Sequence, residues 1–371
     1  MSDYSEFAGT RPVADAHRFD VPALERYLAA NIEGFAGPLE VEQFKGGQSN
    51  PTYRLTAGGK QYVLRRKPPG RLLPSAHAVD REYRVTRALA GSDVPVARTH
   101  CLCVDETVIG TPFYVMDFVD GRIFWDPLLP GMAAPERRAI FAEMNRVIAS
   151  LHRIDFAALG LADYGRPGNY LARQIDRWSR QYQASATERI DAMDRLIDWL
   201  PRHIPPADRT ALVHGDFRLD NMIFDRREPK VLALLDWELS TLGDPLADFA
   251  YHLMAWRLAP DDFRGLRGCD FAALGIPTED EYVDMYLQDN AAIARPSARE
   301  WDFYMAYNMF RMAGILQGVL ARALAGNAAS DRALEAGRRA RPLAELGWKQ
   351  VQAGAVHGAD ERAGSDRRPK G

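Results

Sequence analysis

Between Trp301 and Leu324 the chain carries a helix-length run that is apolar nearly all round: Phe303, Met305, Ala306, Met309, Phe310, Met312, Ala313 and Leu316. A surface helix confines its apolar residues to one stripe, so a helix of this kind has to be wrapped by other elements. The C-terminal part of the chain must therefore be a helical body with this helix at its centre. Helices that can wrap it are legible upstream. Ile140, Met144, Val147 and Leu151 share one face of a helix that Pro135 can start. Leu171 to Tyr182, Ile190 to Leu200 and Tyr282 to Leu287 carry further helical patterns.

The first third has a different texture. After a helix from Val21 to Ile32, with Asp20 placed as its N-cap, come short strand-like runs at Leu39–Phe44, Thr52–Leu55 and Gln61–Arg65. Ala57-Gly58-Gly59 suits a hairpin turn between the last two. A helix from Asp80 to Ala90 follows, then a second hairpin of Cys101–Val108 and Phe113–Val119 around Gly110-Thr111-Pro112. The pattern predicts an α+β chain of two lobes. A polar arm (1–19) precedes a small antiparallel-sheet lobe with one helix (20–118). A larger helical lobe (119–355) follows a hinge at Asp117–Gly121, and the small, charged residues of 356–371 form a tail with little structure.

Composition narrows the function classes. The apolar share of 47% and charged share of 26% are those of an ordinary globular chain. A formal charge of −3 gives no support for a nucleic-acid or membrane partner. No apolar run approaches membrane-spanning length, and Met1–Thr10 lacks an apolar signal core. Cys101, Cys103 and Cys269 cannot pair completely and form no zinc pattern, so the expected setting is reducing and cytoplasmic. Nothing in the sequence speaks to oligomeric state.

Two polar stretches interrupt apolar runs in the helical part. "HGDFRLDN" (214–221) lies between Ala211-Leu212-Val213 and Met222-Ile223-Phe224, and "LLDWE" follows a short hairpin later. Phosphoryl transfer needs a carboxylate for the acceptor hydroxyl, metal ligands and cations on the phosphates. Asp216 suits the first task. Asn221 offers an amide oxygen, and Asp236, at the end of a buried strand, is a carboxylate whose charge a Mg²⁺ ion would make acceptable. The intervening hairpin brings Asn221 and Asp236 together. Taken alone, 214–221 also reads as a surface turn with Asx hydrogen bonds. His214 reads better as a buried residue holding the loop than as a proton carrier.

"HGDFRLDN", "LLDWE" and "GDPLADFAY" together resemble the aminoglycoside phosphotransferase-like kinases, distant relatives of the protein kinases, from about Phe44 to Leu324. "FKGGQSNPTYRL", "YVLRRKPPG" and "YVMDFVDG" are similar to the kinase-like domain associated with acyl-CoA dehydrogenases. The resemblance implies a bilobal protein-kinase-like fold and an ATP- and Mg²⁺-dependent phosphotransferase acting on a small-molecule hydroxyl. It implies that Asp216 is catalytic and that Asn221 and Asp236 hold the metal, with His214, Glu238 and Asp244 in support. Gly46, Gly47 and Ser49 fall where a nucleotide-covering loop belongs, though without the Gly-x-Gly-x-x-Gly pattern; an ordinary hairpin turn is the alternative. Arg65 takes the usual lysine's phosphate-contacting position, with Glu82 as its partner, and main-chain groups of Met116, Asp117 and Phe118 would receive adenine. A plain surface pair is the alternative for Arg65 and Glu82. No Gly-x-x-x-x-Gly-Lys-[Ser/Thr] occurs, which excludes a P-loop enzyme.

The acceptor is harder to read. A hydroxyacyl-CoA is what the resemblance implies, and Arg66, Lys67 and Arg71 beside Pro68-Pro69-Gly70 could meet its phosphates, or form only a solvated charge run. Arg311, in an apolar helix, needs an anionic partner from a ligand or an internal carboxylate. The alternatives are an aminoglycoside or other amino-alcohol kinase and a non-catalytic nucleotide-binding module. A polycation would want an acidic helical lobe, yet Trp301–Gly354 holds four acids against seven bases.

Overall fold

The computed structural model describes residues 9–45, 50–69, 78–326 and 333–365, the side chains of 261, 262 and 354–365 excepted. The strands are β1 (Thr10–Arg11), β2 (Glu40–Phe44), β3 (Thr52–Ala57), β4 (Lys60–Arg66), β5 (Thr99–Cys103), β6 (Phe113–Asp117), β7 (Ala211–Val213), β8 (Met222–Phe224), β9 (Val231–Leu234) and β10 (Thr241–Gly243). The helices are α1 (Val21–Asn31), α2 (Val79–Leu89), α3 (Ala134–Arg153), α4 (Tyr170–Ser185), α5 (Asp191–Trp199) and α6 (Pro245–Arg257). Then come α7 (Pro260–Phe263), α8 (Phe271–Leu274), α9 (Glu279–Asp289), α10 (Ala298–Leu324), α11 (Ala333–Arg338) and α12 (Ala340–Ser365). Among the described residues, no helix is long and apolar enough to cross a membrane.

The chain divides into two compact units, each discontinuous in sequence. The first is Met1–Leu129 with Asp155–Tyr164 and Arg218–Ser240; the second is Pro130–Ile154, Gly165–Phe217 and Thr241–Gly371. The pattern of the sequence suggests contiguous lobes, and hydrogen bonding explains the difference. Arg122 and Phe224 exchange both backbone bonds, at 2.7 and 2.8 Å, and Leu234 N–H donates to the Pro95 carbonyl at 2.8 Å. The β8–β9 hairpin is thereby tied to the N-terminal unit. Gly121 permits this, since a Cβ there would stand 2.3 Å from the Phe224 carbonyl oxygen.

In the first unit, an antiparallel sheet runs in the order β1-β2-β3-β4-β6-β5. Asp20 caps α1 by accepting from Ala23 N–H at 2.9 Å. Leu24 and Leu28 of α1 pack with Tyr53, Leu55, Tyr62, Leu64, Phe113 and Val115 of the sheet. Strand residues alternate faces, so Arg65 and Arg66 must point oppositely. Arg66 is buried, with its guanidinium 5.3 Å from the Phe19 ring centroid. It is not part of a solvated charge run.

In the second unit, α10 packs against α4, α6, α11 and α12. From Asp302 to Arg311 every residue of it is buried; Met312 and Leu316 are half-buried, and Leu324 is exposed. Its start is a capping box, with Glu300 N–H donating to Ser297 Oγ and Ser297 N–H donating to Glu300 Oε2. The two-stranded pair β7–β10 flanks the loop that starts at His214. α12 continues as helix beyond residue 355, where composition alone suggests little structure. Ala, Glu and Arg are strong helix formers, and extending an anchored helix requires no new nucleation.

Candidate active site

In the second unit, β7 delivers the chain to His214, Gly215 and Asp216, and α6 holds them. The Asp248 carboxylate accepts from His214 N–H through Oδ2 and from Gly215 N–H through Oδ1, both at 2.8 Å. Hydrogen bonds to a charged group are each worth on the order of 2 kcal/mol. His152 Nε2 lies 3.2 Å from Asp248 Oδ2, and its Nδ1 is 2.7 Å from the Tyr286 hydroxyl. Burial would raise the Asp248 carboxyl, but the His152 hydrogen bond and the nearby imidazoles prevail and hold it below the usual range. Asp248 therefore braces the loop as an anion.

The other loop contacts are equally local. Gly215 sits at φ +82°, which suits glycine, and its carbonyl accepts from Arg311 Nη2 at 2.6 Å. The Arg311 guanidinium lies 5.0 Å from the Tyr251 ring centroid and 5.6 Å from that of Trp178. A backbone carbonyl and two aromatic faces answer the buried cation, and the nearby Asp216 carboxylate supplies an internal anion of the kind the sequence leads one to expect. Asp216 is half-buried, and the Tyr251 hydroxyl donates to its Oδ1 at 2.6 Å. His214 is fully buried, and its Nδ1 accepts from Asp216 N–H at 3.2 Å. Asp244 caps α6, accepting from Leu246 N–H at 2.8 Å and from the Tyr304 hydroxyl at 3.0 Å. Burial pushes the Asp244 carboxyl up against those hydrogen bonds.

In the first unit, Arg65 is the centre of a buried charge cluster. Its Nε stands 2.8 Å from Glu82 Oε2, and its Nη2 stands 2.6 Å from Asp236 Oδ1 and 3.8 Å from Glu238 Oε2. The Glu82 side chain is only 1% exposed, so this is no surface pair. Asn50 Nδ2 donates to Glu82 Oε1 at 2.9 Å, and the Tyr114 hydroxyl donates to Oε2 at 3.2 Å. Burial opposes the charge on Arg65, but Glu82 and Asp236 outweigh it and hold the guanidinium protonated. Burial pushes the Glu82 carboxyl up while Arg65 pulls it back. The helix carrying Glu82 is itself latched. Arg81 donates to the Tyr164 carbonyl at 2.7 Å, and the Tyr164 hydroxyl lies 2.5 Å from Ser240 Oγ.

This cluster makes a graded prediction. Arg65→Ala strands Glu82 without its cation, a loss of about 3–5 kcal/mol for a buried pair of this kind, partly relieved by Asn50 and Tyr114. Arg65→Lys keeps the charge and loses the fork that spans Glu82 and Asp236. We expect the lysine variant to stay folded with reduced ATP binding or turnover, and the alanine variant to lose more of both. A thermal melt with an ATP titration checks the order; a wild-type Arg65→Ala beside an inactive Lys67→Ala would move the role to Lys67.

Asp236 adopts φ +65°, ψ +61°, a left-handed conformation that Asp tolerates better than most residues. The turn directs the chain out of β9 into a 3-10 turn, Trp237–Leu239, pinned by Trp237 Nε1 donating to the Leu234 carbonyl at 2.9 Å. Such strain of order 1 kcal/mol or more is concentrated at functional positions. Leu235 N–H donates to the Asn221 carbonyl at 2.8 Å, so the hairpin brings the backbones of Asn221 and Leu235 together, one residue before Asp236. Among the described residues no three His, Cys, Asp or Glu side chains are grouped to hold a metal. Mg²⁺ bound with a nucleotide needs only one or two protein oxygens, and the half-exposed Asp236 carboxylate with the Asn221 amide fits that demand.

The remaining expected residues fare unevenly. Gly46, Gly47 and Ser49, and also Arg71, lie outside the described residues. Asp117 N–H already donates to the Arg98 carbonyl at 2.8 Å, and Phe118 N–H to that of Gln61 at 3.4 Å. Two of the amide donors expected for adenine are thus engaged within the sheet. Sequence reasoning placed Asn50 only at the end of the nucleotide-covering loop and missed it as a partner of Glu82; it also missed Tyr114, His152 as a brace, and Tyr251. Only Tyr251 left a signal: it follows Asp248 by three positions, so both share a face of α6.

Residues 40–301 match the model of the phosphotransferase enzyme family, APH. Acyl-CoA dehydrogenase family member 10 of Mus musculus is 48% identical over 91% of the chain, which spans 32% of that protein's length. A crystal structure from Ralstonia eutropha, assigned to the aminoglycoside phosphotransferases, is 56% identical with a TM-score of 0.83, covering 91% of this chain and 99% of that one. Aminoglycoside phosphotransferase APH(4)-Ia, solved with ADP and hygromycin B, shares the kinase-like fold at a TM-score of 0.57 and 15% identity, over 88% and 99% of the two chains. With the family model spanning well over half of the sequence and the two motif segments held as described, the chain belongs to the phosphotransferase enzyme family.

Proposed function

We propose that the chain transfers the γ-phosphoryl group of ATP to the hydroxyl of a hydroxyacyl-CoA. The observation that carries the phosphotransferase chemistry is the braced loop that presents Asp216, its backbone clamped by Asp248 and its carboxylate met by Tyr251. Asp216 takes the proton of the acceptor hydroxyl as that oxygen bonds to phosphorus and the bond to the ADP oxygen breaks. Arg65, oriented by Glu82, contacts the phosphates. Asp236 and Asn221 would hold Mg²⁺, which when bound neutralises charge on the phosphates.

The acceptor rests on relatives rather than on a row of cations. Support comes from the 48% identity to a protein named as an acyl-CoA dehydrogenase family member. Of the basic residues expected to meet CoA phosphates, Arg66 is buried against Phe19, Arg311 donates to the Gly215 carbonyl, Lys67 is half-buried and Arg71 lies outside the described residues. The second reading, an aminoglycoside kinase, is favoured by the Ralstonia eutropha relative. Against it stand the seven bases and four acids of Trp301–Gly354. The two readings diverge in one assay. A hydroxyacyl-CoA should stimulate ATP consumption, kanamycin should not, and CoA-ester binding should weaken as salt rises. Stimulation by kanamycin with none by any CoA ester would sink the proposal in favour of the second reading.

A further inference from the structure

We infer that Tyr251 is a positioning residue for Asp216, a role that rests on the reading of Asp216 as the group that takes the acceptor's proton. Its hydroxyl donates to Asp216 Oδ1 at 2.6 Å, the length of a charge-assisted hydrogen bond. Asp248 and Tyr251 lie three positions apart on α6, so one rigid helix sets both the loop backbone and the carboxylate. Tyr251 is itself fixed. It is 4% exposed, and its ring lies under the Arg311 guanidinium, which donates to the Gly215 carbonyl. The Gly215 peptide is therefore held at its N–H by Asp248 and at its carbonyl by Arg311, immediately before Asp216.

A carboxylate turns readily about its terminal torsion, which is broad and shallow, and a fixed donor on one oxygen narrows that turn. That turn carries the oxygens by about 1 Å, and a misplacement of this size can lower a rate by as much as about 10²-fold. The bland explanation is that Asp216 merely satisfies a buried hydroxyl, which tyrosines usually require. The two explanations differ in which group serves the other. Only the first makes the rate depend on the hydroxyl.

The experiment uses the full chain, Mg-ATP labelled at the γ-phosphate, and either a hydroxybutyryl-CoA or water alone as acceptor, under single-turnover conditions. Tyr251→Phe keeps the ring beneath Arg311 and removes the hydroxyl that donates to Asp216. It should lower the single-turnover rate constant by about 10- to 10²-fold, with the ATP concentration that gives half the maximal rate unchanged. Added to Asp216→Asn, it should change the residual rate by less than about 2-fold, because two groups acting as one are not additive. This cycle decides even where Tyr251→Phe also lowers the melting temperature. A slow Asp216→Asn beside a wild-type Tyr251→Phe, or an equal loss from Tyr251→Phe in both backgrounds, overturns the role of Tyr251 alone. A wild-type rate for Asp216→Asn overturns the reading of Asp216 and this role with it.

Discussion

Asp216→Asn is expected to lower turnover by at least about 10²-fold, the usual scale for a positioned acid–base group. Affinity for ATP and the melting temperature should stay close to those of the wild type. The substitution is close to isosteric, and an amide oxygen can still accept the Tyr251 hydroxyl that Asp216 Oδ1 accepts at 2.6 Å. The loop backbone is held by the Asp248 carboxylate at the His214 and Gly215 amides, bonds that do not involve the charge at 216. What asparagine removes is the capacity to take a proton. Loss of ATP affinity to the same degree as turnover would mean that Asp216 serves binding instead. Wild-type turnover would remove it from the chemistry.

How far the sequence reveals this site depends on how far each contact reaches along the chain. His214, Asp216 and Asn221 are legible because they share one loop, and Asp236 because a short hairpin separates it from Asn221. The Arg65–Glu82 pair spans a strand and the following helix, a separation that a family pattern can carry. Arg66 is instructive in the other direction. It looks like part of a basic run with Lys67, yet strand alternation alone places it on the face opposite Arg65, where Phe19 covers it. That conclusion was available from periodicity.

The partners of Arg311 were not available. Its guanidinium meets the carbonyl of Gly215, 96 positions away, the faces of Trp178 and Tyr251, and the charge of Asp216. Carbonyls and ring faces leave no mark in composition, so a lone buried arginine suggests an anion by default. The start of α6 was legible in principle. Asp244 followed by Pro245 is a helix-start signature, and Asp244 does accept the Leu246 and Ala247 amides. The discontinuous units were not legible, because the bridge between Arg122 and Phe224 joins backbone atoms, and the Arg122 guanidinium that reinforces it donates to the Asp225 and Glu228 carbonyls, which leave no mark in the sequence.

Asp236→Ala should remove the part of ATP affinity that depends on Mg²⁺. Substituting an outer partner of a metal ligand typically costs 10–100-fold in metal affinity, and loss of a direct carboxylate ligand should cost at least that, on the order of 10²-fold. The ion pair with Arg65 gives the prediction a second, opposite arm. Arg65 Nη2 stands 2.6 Å from Asp236 Oδ1 and its Nε stands 2.8 Å from Glu82, so the variant leaves the guanidinium with one close carboxylate rather than two. A less neutralised cation attracts phosphate more strongly. Calorimetric titration of ATP in the presence of a chelator should therefore give an affinity equal to or above that of the wild type. The same titration with Mg²⁺ should give no further gain. A Mg²⁺-dependent gain of wild-type size in Asp236→Ala would take the metal away from Asp236. Equal losses with and without Mg²⁺ would instead identify Asp236 as a support for Arg65, its work confined to the buried cluster of Arg65, Glu82 and Glu238.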